Sequence, residues 1–187
     1  MGDLIGWYGN LLRILNTWGF PPDNRYLFLG NYANKGRHGV ETIWLILAMA
    51  IKFPKWVFLL RGNHDWSYIS RVNGFYDEWK RRYNIRLWKS FNTVFNNLPI
   101  AAILENRILC VHGGISPDLD SLDSILNIMR PSEVPEAGLL CDLLWADFTP
   151  ENDGWSDSDR GVSYGFGPDL VSEFWEKLNV DLIVRSL

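Results

Sequence analysis

The sequence predicts an α/β fold, and three observations carry that expectation. Short β-rich apolar runs alternate with stretches of helical spacing, polar glycine-rich loops follow three of those runs, and 47% of the 187 residues are hydrophobic. That apolar content supports a sizeable core, and no repeat, low-complexity tract or linker-like stretch interrupts it. A single domain over residues 1–187 is therefore expected.

Taken in order, Leu11, Leu12, Ile14 and Leu15 have helical spacing, and residues 26–29 form the first strand-length run. A helix is predicted over 38–52, then a strand over 56–60, because the run there is short, apolar and followed by Arg61-Gly62. Helices over 75–83 and 86–95 follow, then strands over 101–104 and 108–111 separated by a polar turn. The spacing next predicts helices over 122–129 and 168–178 and a strand over 182–184. Of the ten tryptophans, those at 44, 66, 79 and 175 fall in the helical stretches, and most are expected in the core or a groove. The basic run Lys80-Arg81-Arg82, with Arg86 and Lys89, reads as a solvated helix face.

A net charge of -4, with acids and bases interspersed, gives no electrostatic footprint for nucleic acid. The longest apolar run, 43–51, is far shorter than the roughly 20 residues of a bilayer span. No basic-then-apolar signal opens the chain, so a soluble cytoplasmic or nuclear protein is expected. Cys110 and Cys141 form no C-x-x-C pair and are expected to be buried thiols.

The chemistry-bearing residues follow the strands. Leu29 runs into Gly30-Asn31-Tyr32-Ala33-Asn34-Lys35-Gly36, Leu60 into Arg61-Gly62-Asn63-His64-Asp65, and Val111 into His112-Gly113-Gly114. In open α/β sheets ligands bind at the carboxyl ends of strands, where the strand roots the loop and glycines allow close backbone approach. Asp3 would join this set if a strand preceded it, and none does.

With these loops in place, the stretches LFLGNYANKGRHGVET, FLLRGNHDWSYISRVNGFYDEWKRRYNIRLW, LPIAAIL, CVHGGISPDL, LLCDLLWAD and DRGVSYGFG give the chain a family likeness. Over residues 2–187 it resembles the type 1 protein serine/threonine phosphatases, calcineurin-like metallophosphoesterases. The resemblance implies a β-sandwich flanked by helices, here lacking the first strand and the C-terminal strands, and its truncation is expected to leave fraying termini. It also implies two divalent metals (manganese, iron or zinc) that deliver a bound water to a phosphoserine or phosphothreonine ester.

By the same resemblance the metal ligands are Asp3, Asn31, Asn63 and His112. Ile5 stands where a histidine ligand would be, and Leu187 where a further one would stand. An amide at 31 removes the charge of a bridging carboxylate, so the metals are expected to be incomplete or absent. His64 matches the general acid, with Asn34 in place of the carboxylate that orients it. Asp65 closes the motif and is given no catalytic role. Arg61, Arg160 and Lys35 match the phosphate-binding cations, Lys35 without the bidentate fork of an arginine. Trp145 and residues 116–119 match a hydrophobic groove. Expected partners are a phosphoprotein substrate or a regulatory subunit. Three readings stay open: a metal-dependent phosphatase with weakened activity, a pseudophosphatase that binds phosphoproteins or regulators, and a redesigned or decayed fragment without activity.

Overall fold

A computed structural model describes residues 1–186. The chain divides into two compact units, Met1–Leu98 and Pro99–Leu187.

The first unit contains α1 (Tyr8–Trp18), β1 (Tyr26–Phe28), α2 (Gly39–Lys52), β2 (Val57–Leu59), α3 (Ser67–Val72), α4 (Phe75–Arg82) and α5 (Ile85–Asn97). Strands β1 and β2 pair in parallel, with Tyr26 opposite Val57, and α2 is the crossover between them. Leu11 and Leu15, one turn apart on α1, are fully buried, as are Val40, Ile43 and Ile46 at helical spacing on α2. Between α4 and α5 the core is aromatic. Trp79 stacks on Phe91 with centroids 4.9 Å apart, and Phe75 meets Phe91 edge-on. Asn84 starts α5 by accepting a hydrogen bond from Leu87 N at 3.0 Å, satisfying one free N–H of the first turn. Arg82 donates to Glu78 one turn back (2.7 Å) and to Glu41 on α2, so part of the run expected as a solvated face ties two helices together.

The second unit contains β3 (Ala101–Leu104), β4 (Ile108–Val111), α6 (Leu122–Leu126), α7 (Leu139–Trp145), β5 (Asp147–Phe148), β6 (Trp155–Asp157), β7 (Tyr164–Phe166), α8 (Pro168–Leu178) and β8 (Leu182–Val184). Strand β4 lies between antiparallel β3 and parallel β8. Buried between two neighbours, β4 is continuously apolar rather than alternating, with Leu109 and Val111 fully buried. The β3–β4 turn uses Glu105 and Asn106 at left-handed φ of 51° and 55°, which matches the twist of the strands it joins. A second sheet has the order β5-β7-β6. Helix α8 opens on Pro168, whose missing N–H is no loss in the first turn, and ends on left-handed Asn179.

The strands expected at 101–104, 108–111 and 182–184 and the helix at 168–178 have the expected bounds, while the helix expected over 122–129 stops at Leu126. Helices α3 and α7 and strands β5 to β7 were not expected. The tryptophans divide differently from expectation: Trp79 and Trp88 are buried, whereas Trp7, Trp18, Trp44 and Trp175 are exposed. Both cysteines are buried free thiols. Among the described residues no helix is long and apolar enough to cross a membrane.

Candidate functional site

In the first unit, two loops leave the carboxyl ends of β1 and β2 and touch. Gly30, at φ +107°, allows this approach, because a Cβ there would lie 2.3 Å from the Gly62 nitrogen. A Cβ on Gly62 would in turn lie 2.4 Å from Asn31 Oδ1. The staple across the contact is Asp65. Its Oδ2 accepts from the backbone N–H of Asn31 (2.8 Å) and Gly62 (2.9 Å), and its Oδ1 from that of Tyr32 (3.2 Å). Burial pushes the Asp65 carboxyl up to about 7, although the N–H groups of Gly62, Asn31 and Tyr32 and the positive charge of Arg61 pull it down. The Tyr32 hydroxyl is raised well above its ordinary value, first by burial and then by the Asp65 charge, and it donates to Leu60 O at 2.6 Å.

The opening residues are anchored rather than frayed, which corrects the expectation for that end. Leu29 N donates to Met1 O (2.8 Å), Leu4 N and Ile5 N donate to Asn31 O (3.1 and 2.7 Å), and Gly6 N donates to Tyr32 O (3.0 Å). These bonds bring Asp3 beside Asn31 although no regular strand contains it. Ile5 is held at φ 41°, a strained position for a β-branched residue.

Asn31 is the hub. Its Nδ2 donates to Asp3 Oδ2 at 2.9 Å and to Asn63 Oδ1 at 3.0 Å, while its Oδ1 accepts from the backbone N–H of His64 at 2.8 Å. The orientation of the amide is fixed by chemistry, because His64 N can only donate and so requires the oxygen on its side. Asn31 is 1% exposed and Asn63 5% exposed, so these bonds are made out of reach of bulk water. Asn34, at φ 101°, donates from Nδ2 to His64 O at 2.9 Å, and its Oδ1 is buried without a partner among the described residues. The contact of Asn34 with His64 is thus to the main chain.

The phosphate-binding candidates differ in placement. Lys35 is exposed at the rim. Arg61 is fully buried, donating from Nε to Asp65 O (3.2 Å) and from Nη2 to Asn96 Oδ1 (2.7 Å). In the second unit His112 follows β4, is 3% exposed, and accepts at its carbonyl from Ser186 N at 3.0 Å. Arg160, between β6 and β7, forms an ion pair with Asp147, which also receives Arg185. Burial raises the Asp147 carboxyl, but the two arginines outweigh it and hold the group below its ordinary value. Of the groove residues, Ser116 donates to Asp142 Oδ2 at 2.6 Å, and Trp145 is half-buried at the end of α7. Leu187 lies outside the described residues.

The first unit therefore joins Asp3, Asn31, Asn34, Asn63 and His64 in one hydrogen-bonded network, with Lys35 beside it. A pair of divalent metals does not fit these donors. The oxygens of Asp3 and Asn63 already face N–H protons of Asn31, the Asn31 oxygen faces His64 N, and Ile5 has no lone pair to offer. Among the described residues no group of three or more His, Cys, Asp or Glu forms a ligand set. The staple role of Asp65 escaped the sequence reading, and its only signal there was an acid two residues beyond Asn63 in a loop rooted on a strand.

The family model of the calcineurin-like phosphoesterases matches residues 1–186. Among solved structures, a protein serine/threonine phosphatase from Saccharomyces cerevisiae, described as similar to human phosphatase PP5, superposes with a TM-score of 0.93 at 33% identity over 98% of this chain. This chain spans 58% of that one. The match bears out the α/β, metallophosphoesterase-like fold that the resemblance implies, and that family implies divalent metals, which the donor set of the first unit does not suit. Fold and family model together place this chain in the calcineurin-like phosphoesterase family.

Proposed function

We propose that this chain is a phosphatase-like domain that recognises phosphoserine- or phosphothreonine-bearing proteins without hydrolysing them. The observation that supports this reading is the Asn31 amide, which donates to both Asp3 and Asn63 at the position that the resemblance gives to a bridging metal ligand. A cation there would have to displace two hydrogen bonds and lie against amide protons, with one carboxylate to balance its charge. Losing ligands that act as a unit abolishes such chemistry rather than grading it. His64 then serves as a loop residue, held at its main chain by Asn31 and Asn34. Lys35 retains the charge that attracts a phosphoryl group.

The test has two arms. Turnover of p-nitrophenyl phosphate with added Mn²⁺ is expected to equal that of His64→Ala, and phosphopeptide binding is expected to survive EDTA. Manganese-dependent turnover abolished by His64→Ala would restore the hydrolase reading. A folded chain with neither turnover nor phosphopeptide binding would leave the inactive fragment.

A further inference from the structure

Beside the Asn31 network, the turn that carries Asn34 and Lys35 and the helix α4 enclose a cleft of about 580 Å³ within the first unit. Four of its lining residues, Lys35, Arg37, Lys80 and Arg81, are exposed cations, and none forms an ion pair with a described residue. Two acids also line it. Glu78 is buried and engaged by Arg82, which leaves Asp77 as the exposed negative charge. The lining thus carries a surplus of positive charge on a chain whose net charge is -4. Adjacent α4 cations that only needed solvent would not have to converge on the cations of a separate loop.

A second, independent observation concerns Asn34, a residue of the cleft's lining. Asn34, 4% exposed and held at φ 101°, keeps a buried Oδ1 with no hydrogen-bond donor among the described residues. A buried acceptor without a donor is a standing cost of the free state, and a ligand N–H relieves it where the 34–37 turn shifts to open that closed atom to the cleft. Simple anions bring none. A peptide brings both, carboxylates or phosphates for the four cations and backbone N–H groups for the amide oxygen.

From this combination we infer that the cleft between the 34–37 turn and α4 binds an acidic segment of a partner protein. The site reads charge around a phosphorylation position rather than the phosphoryl group alone. The inference rests on the proposed reading in taking the partner to be a protein and shares Asn34 and Lys35 with the Asn31 centre, but its test acts on Lys80 and Arg81 of α4, which lie outside that network. A long polyanion such as RNA suits it less, because its sugar-phosphate backbone carries no N–H for Asn34 Oδ1.

The test uses the full chain and fluorescence anisotropy with four labelled probes: a Glu/Asp-rich peptide, the same peptide carrying phosphoserine, its Gln/Asn counterpart, and a single-stranded RNA of equal length. Both acidic peptides are expected to bind, more weakly as salt rises, and roughly tenfold more weakly to Lys80→Glu/Arg81→Glu. The neutral peptide is expected not to bind. Both changed side chains are exposed, so an unaltered urea midpoint will show that the variant is folded, with Lys80→Ala/Arg81→Ala as a milder check. Equal binding to the charge-reversed variant, no binding of either acidic peptide, or tighter binding of RNA would overturn the inference. Manganese-dependent hydrolysis would contradict the proposed function and leave a charge-dependent peptide result standing.

Discussion

At the residue scale, the amide of Asn31 decides the character of the site. The Asn31 amide donates twice where a carboxylate would repel Asp3, so Asn31→Asp removes two buried hydrogen bonds and sets two acids together. It is expected to lower stability near neutral pH by about 2–4 kcal/mol in urea unfolding. Asp65 gives a pH signature. Its folded carboxyl is raised to about 7 from 3.8, chiefly by burial, so the folded state binds a proton that the unfolded chain has released. Its contribution is therefore fully present below about pH 4 and is lost as pH rises through about 7. Comparing urea midpoints across that window checks this: the fall in stability from about pH 4 to about 7 should be smaller in Asp65→Asn, with Glu78, also raised by burial, retaining its share. Above about pH 7 that variant also loses hydrogen bonding, since an amide has one acceptor oxygen where the carboxylate uses two. The identities and loop positions of these residues were legible in the sequence. What Asn31 donates to, and that Asp65 joins three backbone N–H groups, were not, because both depend on loops far apart in the chain.

At the element scale, the apolar strand-length runs and the longer periodic helices were legible, whereas α3, α7 and β5 to β7 were not. Helix α7 has five buried residues among its seven, so no polar stripe marks its period. Strands β5 to β7 mix acidic, serine or glycine residues with aromatic ones over two or three positions, so no apolar run marks them. The loop roots after β1, β2 and β4 were correctly placed because each strand is apolar and ends at a glycine-rich polar run. Asn84 caps α5 from an exposed position, so Asn84→Ala should cost about 1 kcal/mol by urea titration. The aromatic contact of α4 with α5 offers a sharper contrast. Trp79 is fully buried and its Nε1–H has no partner among the described residues. Trp79→Phe removes that unsatisfied donor and most volume stays, so its loss should be under about 1.5 kcal/mol. Trp79→Ala should cost about 3–5 kcal/mol.

At the scale of the whole molecule, the fold belongs to the calcineurin-like phosphoesterases, and amide hydrogen bonds hold its central network together. The likeness extends over 98% of the chain at 33% identity, so the scaffold tolerates wide divergence in sequence. That is physically reasonable, because the loops are held by Asp65, by the glycine contacts and by backbone bonds to Met1–Gly6 segment atoms, none of which requires a cation. The most direct measurement is calorimetric titration of the full chain with Mn²⁺. The account predicts no stoichiometric binding, because amide protons face the oxygens that a cation would need. Tight binding of two metal ions per chain would contradict it.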